Sequence, residues 1–117
     1  MFERGSIYLA KLYPSKGAEP GKTRPVLILQ TDLLNKTEHS TIIIVPLTTN
    51  LINDTYPLRL RITKRDKLLY NSDLLCDQIR AIDKNRLIAD KIASLSEEEI
   101  LKAELQINIL LDFSSPY

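Results

Sequence analysis

The chain has 117 residues, of which 44% are hydrophobic and 26% charged, and this composition fits a single globular domain over residues 1–117 with one hydrophobic core. Sixteen basic and fifteen acidic residues give a net charge of +1, so any basic surface for a nucleic acid must be local. The single cysteine excludes an internal disulfide, and the lack of a membrane-spanning apolar run or an N-terminal signal pattern favours a cytoplasmic protein.

The first half of the chain has the composition of three short strands. Branched and aromatic residues predict strands at Ile7–Leu12, Arg24–Gln30 and Thr41–Val45, the last of which is strongly β-branched. Pro46 is expected to close the third strand. Between the second and third strands, Thr31–Asn35 is predicted to form one helical turn, capped by its first or second residue.

The second half predicts further strands and then one helix. We expect strands at Leu58–Ile62, Ser72–Ala81 and Ile88–Ala93, with a helical turn capped by Asp83 before the last of them. Five or six short strands followed by one C-terminal helix predict a small, strongly bent antiparallel barrel.

The C-terminal helix has clear boundary signals. Ser96 as N-cap with Glu99 three residues later is a capping box, and Leu95 with Ile100 fits a hydrophobic staple. The helix is predicted to run to about Asp112. Its second half is apolar almost all round, at Leu105, Ile107, Ile109, Leu110, Leu111 and Phe113. A helix covered on one side needs only one apolar stripe, so the excess predicts a second covering surface, most simply another subunit.

Arg24 and Thr48 are candidate site residues because of their positions at strand ends. Arg24 stands where a loop meets the buried second strand, and Thr48 follows the third. If these strands are antiparallel neighbours, the guanidinium and the hydroxyl lie at one end of the pair and suit an oxyanion or a phosphate group. The alternatives are that Arg24 caps a strand at the surface and that Thr48 satisfies nearby backbone groups.

Other polar positions carry weaker signals. Arg59 and Arg61 alternate with apolar residues and, with nearby lysines, form either a phosphate track or a charged edge strand. Cys76 lies in an apolar run and is interpreted as inert core, and the only histidine, His39, as a surface residue. The sequence has no His/Cys cluster with metal-ligand spacing and no Asp-x-Asp pair, so no metal site is predicted.

Six short motifs occur in order along the chain: Arg4-Gly5, Gly17-Ala18-Glu19, Arg24-Pro25-Val26, Pro46-Leu47-Thr48-Thr49, Asp77-Gln78-Ile79-Arg80 and Ile82-Asp83-Lys84-Asn85-Arg86-Leu87. Together with the capped C-terminal helix, they resemble the MazF/PemK toxins of bacterial toxin–antitoxin systems over essentially the whole chain. The resemblance implies a homodimer of SH3-like antiparallel barrels with a C-terminal helix. It also implies metal-independent, cofactor-free, sequence-specific cleavage of single-stranded RNA, leaving a 2′,3′-cyclic phosphate and a 5′-hydroxyl, and inhibition by a cognate antitoxin.

The resemblance also implies roles for particular residues. It points to Arg24 and Thr48 as the catalytic pair and places Glu19 where the family carries an acidic residue, which makes Glu19 a candidate general base. The positions that it associates with RNA contact are Ser72, Asp77, Gln78 and Arg86. Ala18 stands where many members carry serine. The basic pair Arg59 and Arg61 is predicted to extend the groove that RNA and an acidic antitoxin segment share.

Two other functions are compatible with such a barrel. A related barrel binds and poisons DNA gyrase without chemistry, but that mode depends on a C-terminal tryptophan, and this chain has none. A barrel that binds RNA without cleaving it is the third possibility.

Overall fold

The computed structural model describes residues 1–12 and 22–113. Within these ranges it has seven strands, two α-helices and one 3-10 helix. In chain order they are β1 (Ser6–Lys11), β2 (Thr23–Ile28), α1 (Asp32–Asn35), β3 (Thr41–Thr48), β4 (Arg59–Ile62), β5 (Ser72–Leu75), β6 (Arg80–Asp83), a 3-10 turn (Lys84–Arg86), β7 (Ala93–Ser94) and α2 (Glu97–Leu111).

The strands form one curled antiparallel sheet, which confirms the predicted fold class. Its order is β4-β5-β3-β2-β1-β7, and β6 pairs with β3 beside β5. Each face of the sheet carries an apolar cluster. The first contains Leu27, Val45 and Leu47 with Ile107 of α2, and the second contains Val26 and Ile44 on the opposite side of the same strands. Alternate residues of β2 and β3 therefore face different cores.

The prediction that Pro46 closes the third strand is wrong, since β3 continues to Thr48. On one side of β3 the partner changes: β6 pairs as far as Ile44, and β5 pairs from Leu47. Pro46 lies in this gap, where its missing N–H removes no bond to β5 or β6. The strand thus runs through a proline and brings Thr48 into the sheet.

The predicted single strand over Ser72–Ala81 is two strands, β5 and β6, on the same side of β3. Continuing the register in which Leu74 faces Leu47 would place Asp77 opposite Ile44, whereas Arg80 is there, three residues further on. The additional residues leave the sheet as a turn closed by a hydrogen bond of 2.9 Å from the Gln78 N–H to the carbonyl of Leu75. Such a bulge directs side chains away from the ladder.

The predicted strand at Ile88–Ala93 is mostly absent, because β7 contains only residues 93 and 94. Two residues of the predicted strand still bond to β1. The Ile88 N–H donates to the Leu9 carbonyl and the Ile92 N–H donates to the Ile7 carbonyl, both at 2.9 Å. Three residues lie between Ile88 and Ile92, but only one lies between their partners Leu9 and Ile7, so the intervening residues bend out of the sheet.

The helix predictions are confirmed. The Ser96 side chain accepts from the Glu99 N–H and the Glu99 side chain accepts from the Ser96 N–H, and α2 ends at Asp112 in a left-handed conformation. Thr31 caps α1, and Asp83 caps the 3-10 turn. Ile107 packs in the core, whereas an apolar stripe stays exposed on the outer side of α2 at Leu101, Leu105 and Ile109, followed by Leu111 and Phe113.

Candidate active site

Arg24 and Thr48 lie opposite each other on neighbouring strands, as the sequence predicted. β2 and β3 are antiparallel with Val26 facing Pro46, and the same register brings Arg24 opposite Thr48. The Arg24 Nη1 donates to Thr48 Oγ1 at 3.4 Å. Arg24 is partly buried, and Thr48 is only 9% exposed. A guanidinium and a hydroxyl thus meet at the end of two rigid strands.

The Thr48 hydroxyl has a second donor. The N–H of Asn50 donates to Thr48 Oγ1 at 3.2 Å. A hydroxyl oxygen has two acceptor lone pairs and one proton. Since Arg24 and Asn50 occupy the acceptor positions, the O–H bond of Thr48 is directed away from both and is oriented as a donor.

The row of side chains continues across the sheet beyond Thr48. Thr48 faces Asp73 of β5, and Asp73 faces Arg61 of β4, so Arg24, Thr48, Asp73 and Arg61 occupy neighbouring positions on four strands. Directly facing side chains in a sheet have Cβ atoms about 4.5–5.5 Å apart. The row alternates cationic, neutral, anionic and cationic groups.

Asp73 is a buried carboxylate with several donors. It is 1% exposed, its Oδ1 accepts from Arg61, and its Oδ2 accepts from Arg59 at 3.2 Å and from the Ile52 N–H at 3.0 Å. Burial raises the pKa of Asp73, but the hydrogen bonds from Arg61, the Ile52 N–H and Arg59 outweigh it and hold this pKa below its usual value. The carboxylate is therefore charged at neutral pH.

Arg59 and Arg61 thus both form ion pairs with the Asp73 carboxylate. The Arg59 side chain is 19% exposed and also donates to the Asn50 carbonyl at 2.8 Å, while that of Arg61 is 38% exposed and also donates to Asn53 Oδ1 at 2.9 Å. Both guanidinium groups hold residues 50–53, the segment after β3, against β4. Of the two, Arg61 offers the larger surface to a phosphate.

The bulge between β5 and β6 carries Asp77 and Gln78. It flanks β3 beside Pro46, two residues from Thr48. Asp77 is exposed, and within the described ranges no hydrogen-bond partner reaches the buried Oε1 of Gln78. Buried acceptors are normally satisfied, so this oxygen is an exception among the polar atoms of the described ranges.

Ser72 and Arg86 occupy different surroundings. The Ser72 side chain is fully buried and its hydroxyl donates to the Tyr70 carbonyl at 3.0 Å. Arg86 donates to the Lys11 carbonyl at 3.4 Å, at the end of β1. Ala10 of β1 faces Arg24 on one side and Leu87 on the other, so Arg86 approaches the site from the flank opposite to Asp73.

Glu19 and Ala18 lie outside the described residues. Cys76 is buried and His39 is exposed, as the sequence predicted. Burial, with the charge of Asp77 as a smaller contribution, raises the pKa of the Cys76 thiol to about 12, so this thiol is protonated and unreactive at neutral pH. His39 is exposed beside Thr41, with 3.2 Å between its Nε2 and the threonine hydroxyl oxygen.

Asp73 is the site residue that the sequence analysis missed. A signal existed: an acidic residue rarely occupies an apolar strand such as Ser72–Leu75 unless it is paired. The strand before it carries arginines at alternate positions, which suits cross-strand pairing with a carboxylate.

The described ranges contain neither a metal-binding cluster nor a membrane-spanning helix. Among residues 1–12 and 22–113, no three His, Cys, Asp or Glu side chains cluster closely enough to hold a metal ion. In the same part of the chain, neither helix is long and apolar enough to cross a membrane.

The fold and the paired Arg24 and Thr48 define a small antiparallel half-barrel with a polar site at the ends of its central strands. Residues 3–111 match the family described as the PemK-like, MazF-like toxin of the type II toxin–antitoxin system, and the chain belongs to this family. This confirms the resemblance noted in the sequence.

Sequence relatives and a solved structure agree with this family assignment. The chain is 36% identical over 116 residues to the endoribonuclease MazF of Staphylococcus epidermidis, covering 98% of this chain and 95% of the relative. Identity to the endoribonuclease MazF of Staphylococcus saprophyticus is 41% over 113 residues, or 95% and 92% of the two chains. The fold matches MazF from Deinococcus radiodurans with a TM-score of 0.78 at 20% identity, covering 95% of this chain and 96% of that one.

Proposed function

We propose that this toxin is an endoribonuclease that cleaves single-stranded RNA at the site formed by Arg24 and Thr48. The observation that carries the proposal is the contact of 3.4 Å between the Arg24 guanidinium and the Thr48 hydroxyl at the ends of two paired strands. The two staphylococcal relatives match nearly the full length of this chain and are named endoribonuclease, which supports the activity.

The proposed reaction is attack of a ribose 2′-hydroxyl oxygen on the adjacent phosphorus. The new O–P bond forms as the bond to the 5′-oxygen of the next nucleotide breaks, and the products are a 2′,3′-cyclic phosphate and a 5′-hydroxyl. Negative charge develops on the phosphorane oxygens during this step. The planar fork of Arg24 suits two such oxygens, and the oriented O–H of Thr48 adds one further hydrogen bond.

A proton must leave the 2′-hydroxyl and another must reach the departing 5′-oxygen. Arginine keeps its proton in proteins, which argues against Arg24 as the base. Glu19, five residues before Arg24 in the chain, is the carboxylate that we assign to the first transfer, and solvent water supplies the proton to the 5′-oxygen. Glu19→Gln tests this role. The single-turnover rate should fall, and the rise of this rate with pH that comes from ionisation of the carboxyl should disappear. An unchanged pH profile of the rate would exclude Glu19 as the base.

The residues that we assign to RNA binding surround this pair. Asp77 and Gln78 carry polar groups on the bulge beside Pro46 that suit hydrogen bonds to a base. Arg86 flanks the pair from the end of β1, and Arg61 offers a partly exposed guanidinium on the other side. Ser72 and Arg59 are assigned to the same surface, although their burial limits them to supporting it.

The test is incubation of the purified protein with a long single-stranded RNA. We expect discrete fragments that end in a cyclic phosphate, and cleavage that persists in excess chelator because the sequence lacks a metal-ligand pattern. Intact RNA with a mobility shift would favour a barrel that only binds. Activity that chelator abolishes and Mg²⁺ restores would overturn the metal-free mechanism.

We also propose that the toxin works as a homodimer and that a cognate antitoxin inhibits it by placing an acidic segment in the RNA groove. A solved mycobacterial endoribonuclease in complex with its cognate antitoxin has the same fold, with a TM-score of 0.75 at 21% identity over 99% of this chain and 100% of that one. Saturating antitoxin should abolish cleavage and RNA binding together. Simultaneous binding of RNA and antitoxin would rule out a shared groove.

A further inference from the structure

We propose that Asp73 is a positioning residue for the cleavage reaction. Its carboxylate holds Arg59 and the segment after β3, and this segment in turn fixes the hydroxyl of Thr48. The inference rests on the proposed function, because it concerns the same site.

The first step is the attachment of the segment to Asp73. Asp73 Oδ2 accepts from the Ile52 N–H at 3.0 Å and from Arg59 Nη1 at 3.2 Å, and the same Nη1 donates to the Asn50 carbonyl at 2.8 Å. Residues 50 and 52 are therefore both fixed by one carboxylate, either directly or through Arg59.

The second step leads from Asn50 to the reacting group. The Asn50 N–H donates to Thr48 Oγ1 at 3.2 Å and shares this oxygen with Arg24. The direction of the Thr48 O–H bond depends on both donors, so a displacement of Asn50 changes where that proton points. A misplacement of about 1 Å near a reacting group can cost on the order of a hundredfold in rate.

The third step is the requirement for a charged carboxylate. Both oxygens of Asp73 are used as acceptors, by Arg61 on one side and by Arg59 and Ile52 on the other. Asparagine has the same shape but offers one acceptor oxygen and one NH₂ group. The NH₂ group would face a donor from Arg61 or from Arg59 and Ile52, and the two arginines would lose the charge between them. The segment after β3 should then detach.

The experiment compares wild type with Asp73→Asn in single-turnover cleavage of a short RNA and in amide hydrogen exchange. We expect the maximal rate to fall at least about fivefold with KM within about twofold, since the reacting geometry changes more than RNA binding. We expect the amides of Asn50 and Ile52 to exchange at least about tenfold faster. Arg59→Gln should reproduce both effects and serves if Asp73→Asn does not fold.

The matched control is Glu99→Gln, which removes a carboxylate from the Arg65 pair at the start of α2. It should leave the rate and both amides unchanged. A wild-type rate and wild-type amide exchange in folded Asp73→Asn would overturn the inference. A raised KM with unchanged exchange of the Asn50 and Ile52 amides would also overturn it, because it would assign the Asp73 carboxylate to RNA binding. If the wild type does not cleave RNA at all, the proposed function fails, and the exchange measurement reports separately on whether Asp73 holds the segment.

Discussion

Glu99 shows how one residue links a helix cap to the loop between β4 and β5. It accepts from the Ser96 N–H within the capping box and forms a two-bond pair with Arg65, with 2.7 Å between its Oε2 and Nη2 of Arg65. The hydrogen bond from Arg65, which outweighs the opposing effect of burial, lowers the pKa of Glu99 from 4.5 to about 2. A carboxyl with a lowered pKa stabilises the fold while it is charged.

The resulting prediction concerns stability against pH. Because the folded pKa lies below the unfolded one, the contribution of the Glu99 charge is complete above pH 4.5 and is lost as the pH falls towards 2. Glu99→Gln keeps an acceptor for the cap but removes the charge. Urea unfolding at about pH 7 should show the variant less stable by about 2 kcal/mol, and the difference should nearly vanish at about pH 2. A difference that is independent of pH would contradict this role for the charge.

At the level of elements, α2 has more apolar surface than the sheet covers. Ile107 is buried, but Leu101, Leu105 and Ile109 are 60%, 63% and 51% exposed and lie along one face at a spacing of four residues. A stripe of this kind marks an interaction surface. It is the structural basis for the proposed homodimer.

The prediction is that charges on this stripe separate the subunits. Wild type should show twice the chain mass in light scattering at micromolar concentration, and Leu105→Glu with Ile109→Glu should show the mass of one chain. Leu33→Glu is the control, because Leu33 is 79% exposed on α1 and should tolerate the charge without effect. A monomeric wild type, or an unchanged mass in the double variant, would exclude α2 as the interface.

The elements also show where sequence patterns were sufficient. The caps of α1, of the 3-10 turn and of α2 were predictable because capping depends on residues close in the chain. The course of β3 through Pro46 and the division of Ser72–Ala81 were not, because both follow from two strands sharing one side of β3. That arrangement is a property of the whole sheet, which local patterns do not encode.

At the level of the whole molecule, the candidate site is a row across four strands. The sequence predicted the Arg24 and Thr48 part of the row, since two consecutive strands that pair bring their facing ends together. It did not predict Asp73, because β5 reaches Thr48 only after the chain has passed through β4 and a long loop. Asp73 of this row also pairs with Arg59 and Arg61, for which the sequence left open a phosphate track or a charged edge strand.

The central claim is that Arg24 stabilises the charge that develops on the phosphate. The direct measurement is single-turnover cleavage of a short RNA by wild type, Arg24→Ala, Arg24→Lys and Thr48→Ala, with circular dichroism to confirm the fold. Arg24→Ala should lose on the order of 10²–10³ in rate, as when one preorganised donor is removed. Arg24→Lys should restore little, since an ammonium group lacks the planar fork, and Thr48→Ala should lose about tenfold to a hundredfold. A folded Arg24→Ala that cleaves at nearly the wild-type rate would contradict the claim.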